Sequence, residues 1–229
     1  MSKRILFISL LLVLSTLMGC ATPTQMAFQD ESYVLTKKSK PVYLMTANIR
    51  NLYKTSYQPK LLVVNVEKSV VNGSEDRLNF TMDDKAKNES DDPNRGSNYL
   101  LRMELDSGDY VLRGLTSISG IFPIRGFFFT PLHESINVNG PGIYYLGHVS
   151  ATVRERVGEE FKAGSTIPLI DQAVAGASGG TFDIEIIDRW DKDEPMFREK
   201  FAALKNVDIK KSILPPFNRQ RAQKWWEDN

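Results

Sequence analysis

Gly176-Ala177-Ser178-Gly179-Gly180 matches the G-x-S-x-G nucleophile elbow letter for letter. That elbow needs a strand before the serine and a helix after it, so that the hydroxyl stands above a sheet and the next N–H helps to bind an oxyanion. The residues that follow instead alternate as a strand, with Phe182, Ile184 and Ile186 opposite Asp183, Glu185 and Ile187. The hydrolase order also places a histidine after the serine, and both histidines, His133 and His148, come before it. A small-residue loop is expected here. Asp188, Asp191, Asp193 and Glu194 form the densest carboxylate cluster. A glycosidase needs two carboxylates about 5–10 Å apart across a cleft, and a hard cation needs several converging on one point. Neighbours entering a helix do neither, and acidic groups there complement the helix dipole. His148 alternates with Ser150 and Thr152 on what reads as the solvated face of a strand, and His133 sits beside Glu134 in an expected loop. Two histidines and one cysteine exclude Cys/His zinc chemistry and a Cys–His nucleophile pair. No phosphate-binding loop occurs. The sequence therefore offers no catalytic residue, no metal ligand set and no cofactor site.

Ile121-Phe122-Pro123-Ile124-Arg125-Gly126-Phe127-Phe128-Phe129 has the most unusual composition in the chain. Three consecutive phenylalanines on a strand put at least one ring on the face opposite the other two. Where one face of a sheet meets water, that face needs cover. A C-terminal helix with Trp225 and Trp226 could supply it. Otherwise Phe127, Phe128 and Phe129 form an apolar patch for a partner, with Arg125 as its rim.

The elements that would hold these residues are mostly strands. Leu62, Val64 and Val66 alternate with Val63, Asn65 and Glu67, and Leu78, Phe80 and Met82 with Asn79 and Thr81. Asn72-Gly73 between them is a tight-turn signal. Leu101, Met103 and Leu105 are expected to face in and Arg102 and Glu104 out, with Asp106-Ser107-Gly108 turning into a partner strand at Tyr110 to Arg113. Further strands are expected at Val42 to Ile49, Phe127 to Phe129, Ile143 to Val153 and Phe182 to Ile187. Short strands with Gly-rich turns and no intervening long helix predict a mainly β chain, an antiparallel sandwich with a short helical C-terminal tail. Asp83 to Asn98 reads as a long polar loop, either mobile or calcium-binding, although it lacks the twelve-residue calcium-loop pattern. Phe197, Phe201 and Leu204 make a helical stripe with Pro195 in its first turn, and a last helix from Arg219 to Glu227 is capped by Asn218.

The first twenty residues carry a different kind of information. Lys3 and Arg4 precede an apolar run from Ile5 to Met18, the shape of an export signal and shorter than the roughly 20 apolar residues of a membrane span. The run ends in Leu17-Met18-Gly19-Cys20, which resembles the lipobox of bacterial lipoproteins. The resemblance implies cleavage after Gly19, diacylglycerol thioether-linked to Cys20 and acylation of the new amino group. The other reading is an ordinary signal cut near Gly19-Cys20-Ala21. Cys20 is the only cysteine, so an exported chain does not keep it for a bridge. Several acyl chains together anchor permanently, where one chain binds marginally. Ala21 after Cys20, in place of Asp, implies the outer membrane, facing the periplasm.

Residues 1–19 thus read as signal, 20–32 as tether, 33–190 as a β-sandwich domain and 191–229 as a helical extension packed on it. Removing the signal takes two of the 29 basic side chains and none of the 28 acidic ones, so no basic surplus points to nucleic acid. Ser107-Gly108-Asp109-Tyr110-Val111-Leu112, Ile136-Asn137-Val138 and Gly142-Ile143-Tyr144-Tyr145-Leu146-Gly147 together resemble PEGA-type modules and their lipoprotein relatives. That resemblance implies an Ig-like sandwich and no particular ligand. The expected function is non-catalytic binding or scaffolding of another envelope protein or glycan. The alternatives are an envelope hydrolase, which needs a cleft with two carboxylates, and a small-ligand or carbohydrate carrier, which needs an aromatic-lined pocket.

Overall fold

A computed structural model describes residues 22–30, 33, 36, 38–120, 124–138, 140–164 and 170–229. Gly19 and Cys20 lie outside the described residues. In chain order the strands are β1 (Thr22–Gln25), β2 (Val42–Asn51), β3 (Lys60–Lys68), β4 (Arg77–Thr81), β5 (Lys87–Asn88), β6 (Ser97–Glu104), β7 (Gly108–Ser119), β8 (Gly126–Val138) and β9 (Ile143–Glu155). Helix α1 (Ile170–Ala175), β10 (Gly180–Ile187), α2 (Trp190–Lys200), β11 (Ile209–Lys211) and α3 (Arg219–Asp228) complete the chain.

The strands form two sheets, ordered β1-β4-β3-β7-β8 and β10-β9-β2-β6-β5, with β11 also pairing β9. The chain is mainly β, and most neighbours are antiparallel. Three pairs depart from the expected antiparallel pattern: β1 with β4, β2 with β9, and β11 with β9 run parallel. The facing sides of the sheets meet in one core that includes Met45, Val64, Phe80, Leu101, Leu112, Phe128, Val149 and Phe182.

A second apolar layer lies outside the β2–β9 sheet. Val42, Leu44, Leu100, Ile143 and Tyr145 are covered there by Trp190, Phe197, Phe201 and Leu204, with Phe28 beside them. Helix α2 buries Phe197 of the expected stripe but ends at Lys200, so Phe201 at its C-cap and Leu204 in the 3-10 turn Ala202–Leu204 are buried from outside the helix. It begins at Trp190, earlier than expected, which moves Pro195 from the first turn into the interior. There the imide nitrogen leaves one carbonyl of the preceding turn without its donor. Helix α3 is capped as expected, with Asn218 Oδ1 accepting from Arg221 N–H at 2.9 Å.

Four further expectations are corrected. The polar segment after Cys20 is no tether: Thr22–Gln25 pairs with Leu78 to Thr81, and Met26 and Phe28 are buried. Strands β6 and β7 do not form a hairpin but lie in different sheets, so Asp106-Ser107 is a corner. Arg102 does not face water. It is fully buried on the outer side of β6, where Nε donates to Ala27 O at 2.8 Å and Nη1 to Leu100 O at 2.9 Å. Its Nη2 pairs with Asp83, and its guanidinium lies 4.3 Å from the centre of the Phe201 ring. Finally, the stretch from Asp83 to Asn98 is no unstructured loop. It holds a 3-10 turn at Asp84–Ala86 and the short strand β5 against β6. Among the described residues no group of three or more His, Cys, Asp or Glu could hold a metal ion.

Candidate functional site: an aromatic cleft between β8 and α3

The elbow-like glycines follow a helix and precede a strand, the reverse of a hydrolase elbow. Gly176 has φ +87°, a left-handed conformation that a side chain would strain, and Ser178 N–H donates to Gln172 O at 3.2 Å. The segment turns the chain from α1 into β10.

The carboxylate cluster divides. Asp188 accepts from Trp190 N–H at 3.0 Å and pairs with Lys211 Nζ at 2.8 Å, closing the start of α2 onto β11. Asp193 is fully buried and accepts from Thr46 Oγ1 at 2.5 Å, Tyr145 OH at 2.6 Å and Arg189 Nε at 2.9 Å. His148, expected on a solvated face, belongs to the same buried group because α2 covers that face of the sheet. Its Nδ1 lies 2.8 Å from Thr46 Oγ1, and its Nε2 lies 3.2 Å from Arg189 Nη1. Thr46 spends its single proton on Asp193, so His148 donates through Nδ1 and accepts at Nε2. Burial first, and Arg189 second, push the imidazole down to about 4, so it is neutral near pH 7. Each polar group in this set has its partner within the fold. The set clamps α2 to β2 and β9.

His133 also departs from its expected place in a loop. It lies within β8 at φ +55°, where Leu132 and His133 together stand opposite Arg113 of β7. A bulge accounts for this backbone angle at a non-glycine residue inside a strand. Gly114 accommodates the bulge on the neighbouring strand: a Cβ there would sit 2.2 Å from Thr130 O. The His133 ring is buried 4.7 Å from the Trp225 ring, and neither nitrogen has a partner among the described residues. Burial, then Arg113 and Arg221, push it down to about 4. Glu134 is buried beside it and pairs with Arg221 at 2.8 Å.

Strand β8 is the free edge of its sheet, and the fold occupies that edge. Phe127 N–H donates to Gln172 Oε1 at 3.0 Å and Phe129 N–H to Ala163 O at 2.8 Å. Pro131 has no N–H to offer, and Arg221 Nη1 donates to His133 O at 2.8 Å. Helix α3 therefore stands alongside β8, with Trp225 5.5 Å from Phe129.

Between them lies a cleft of about 270 Å³, walled by Phe127, Phe129, Phe161, Trp225 and Trp226, with Thr116, Lys162 and Asn229 also lining it. No side-chain carboxylate is among its lining residues. Phe128 also lines the cleft, but it is 1% exposed and packs in the intersheet core. Phe129 is half-buried and Phe127 remains 46% exposed. Arg125 is exposed but opens onto a separate polar groove with Ser56, Gln58 and Lys60. Cover and patch thus coexist: the C-terminal tryptophans cover part of the strand and build a cleft from the remainder.

Of the ten buried side-chain polar atoms without a partner among the described residues, six belong to β8 and α3. They include both tryptophan indole nitrogens, and both rings line the cleft. The sequence showed the three phenylalanines and the two tryptophans. It carried no signal for the bulge at His133, since bulges are set by register rather than by residue type. No family model, no curated protein and no solved structure matches this chain.

Proposed function

We propose that this protein is a lipid-anchored envelope protein, held through Cys20 at the periplasmic face of the outer membrane, whose β-sandwich binds a partner protein without catalysis. On this reading the sandwich is an Ig-like module, and the cleft between β8 and α3 takes one apolar anchor side chain of the partner. The aromatic cleft carries the reading. At about 270 Å³ it is smaller than the roughly 300–1,000 Å³ of ordinary small-molecule pockets, and it suits a single anchoring residue. Its apolar walls with Lys162 and Asn229 among the lining residues resemble the core and rim of a protein interface. A glycan hydrolase finds no support in a cleft without carboxylates.

Two measurements test this. Cys20→Ser is expected to abolish membrane attachment and to leave an unprocessed precursor, because a hydroxyl cannot replace the thiol as lipid acceptor. A mature, membrane-bound Ser variant would remove the anchor from the reading. A photo-crosslinking residue at Phe127 is expected to give a discrete adduct in intact cells that Trp226→Ala abolishes while thermal unfolding stays cooperative. An adduct insensitive to Trp226→Ala, or hydrolysis of peptidoglycan by the purified protein, would overturn the binding role.

A further inference from the structure

We propose that the turn joining β3 to β4, with Val70 and Val71 near its tip, rests in the lipid bilayer beside the anchor; this rests on the lipidation of Cys20. Thr22, two positions after Cys20, is already paired with Leu78 of β4, and its hydroxyl donates to Ser74 O at 3.4 Å. Two residues of chain span at most about 7 Å. An acylated Cys20 therefore brings this corner of the first sheet to the membrane surface with almost no slack.

The corner is suited to that contact. Val70 is 70% exposed, and Val71 beside it is half-buried. The rest of the turn is held firmly, because Asp76 accepts from Asn72 N–H at 2.9 Å and Gly73 N–H at 3.3 Å and pairs with Lys68 at 2.7 Å. Ser69 N–H donates to Asp109 O at 2.9 Å, which ties the turn to β7. The neighbouring corner between β6 and β7 carries a second neutralised pair, Lys40 with Asp106 at 2.9 Å. Glu75 is exposed on the turn itself, so its carboxylate stays with the headgroups while the valines enter below them. Apolar side chains on a rigid turn, with most nearby charges already paired, favour shallow insertion over attraction to anionic lipid.

The opposite end of the sandwich supplies a matched control. Val157 follows β9 and is 71% exposed. The 13 residues of β9 separate the two ends by about 40 Å at 3.3 Å per residue. The two positions carry the same residue type at nearly the same exposure, 70% and 71%, at opposite ends of the sheets.

The full-length lipidated protein would be prepared with Val70→Cys or Val157→Cys. The Cys20 sulfur is consumed by the thioether, so each variant has one reactive thiol for a polarity-sensitive fluorophore. In phosphatidylethanolamine–phosphatidylglycerol vesicles, the label at position 70 is expected to shift to the blue and to lose most of its emission to a quencher carried on the acyl chains. The label at position 157 is expected to do neither. Vesicles that float with the protein but leave position 70 unquenched overturn the lipid contact while the anchor stands. Equal quenching at both positions overturns it too, since no preferred corner then exists. Protein that fails to float at all overturns the anchor and this contact together.

Discussion

Replacing Arg102 with alanine is expected to lower the free energy of unfolding by about 3–5 kcal/mol, the range for breaking a buried ion pair from one side. Arg102 is fully buried between β6 and the layer formed by Phe28 and Phe201. Alanine would leave Asp83 without its cation and the carbonyls of Ala27 and Leu100 without their donors. It would also open a void under the Phe201 ring. For a chain of this size the loss corresponds to a melting temperature lower by roughly 6–20 °C. Arg102→Met fills the same space without a charge, and it is expected to cost less than alanine. Thermal unfolding of the three proteins followed by circular dichroism checks the order. An alanine variant that melts within a degree or two of the wild type would show that the pair contributes little.

Acidification is expected to destabilise the fold between pH 6.5 and about pH 4. His133 and His148 are both pushed down to about 4 in the folded protein, against 6.5 when unfolded. In that window the unfolded chain binds protons that the native state refuses, so stability falls as pH falls. Each histidine contributes a slope of up to about 1.4 kcal/mol per pH unit. Above 6.5 neither contributes a pH dependence, and below about 4 both contributions level off. Glu160, held down to about 2 chiefly by Arg154, adds a separate loss as pH falls from 4.5 through its own folded value. His133→Asn removes one titration and keeps a residue that accepts the left-handed backbone at φ +55°. Urea midpoints at pH 7, 5.5 and 4.5 should show about half the wild-type slope in this variant. An unchanged slope would mean that His133 takes up its proton without leaving the fold.

The strands were legible because alternation is a local property. Leu101, Met103 and Leu105 against Arg102 and Glu104 place a strand correctly, whatever surrounds it. What alternation does not report is the neighbour. The Asp106-Ser107 turn reads as a hairpin, but it is a corner between sheets because β6 pairs with β2 and β5 while β7 pairs with β3 and β8. The errors at Arg102 and His148 share that cause. Both occupy the outward positions of their strands, and outward means solvent only where no third layer exists. Helix α2 and Phe28 form that layer. The stripe of Phe197, Phe201 and Leu204 was visible in the sequence, but the surface it would cover was not. The segment after Cys20 reads as polar, and what orders Thr22–Gln25 is a strand some 50 residues further along.

The cleft was half legible. Phe127 to Phe129 and Trp225 with Trp226 are unusual enough to demand a common explanation, and period-two alternation separates Phe128 from its two neighbours. The bulge at His133 depends on one extra residue between paired positions, which a sequence does not display.

The parallel contact between β2 and β9 has a consequence for how the chain comes into being. Val42 must find Ile143, and the interval between them is about a hundred residues. Until β9 has been synthesised, β2 lacks one of its two neighbours, and the centre of the second sheet stays open. Helix α3, which stands alongside the β8 edge, spans Arg219–Asp228, some 80 residues after that strand. Contacts so distant in sequence close slowly, because the entropy of the intervening loop is lost before the contact repays it. The centre of the second sheet is therefore expected to form late in folding, after the contacts between strands that are near in sequence.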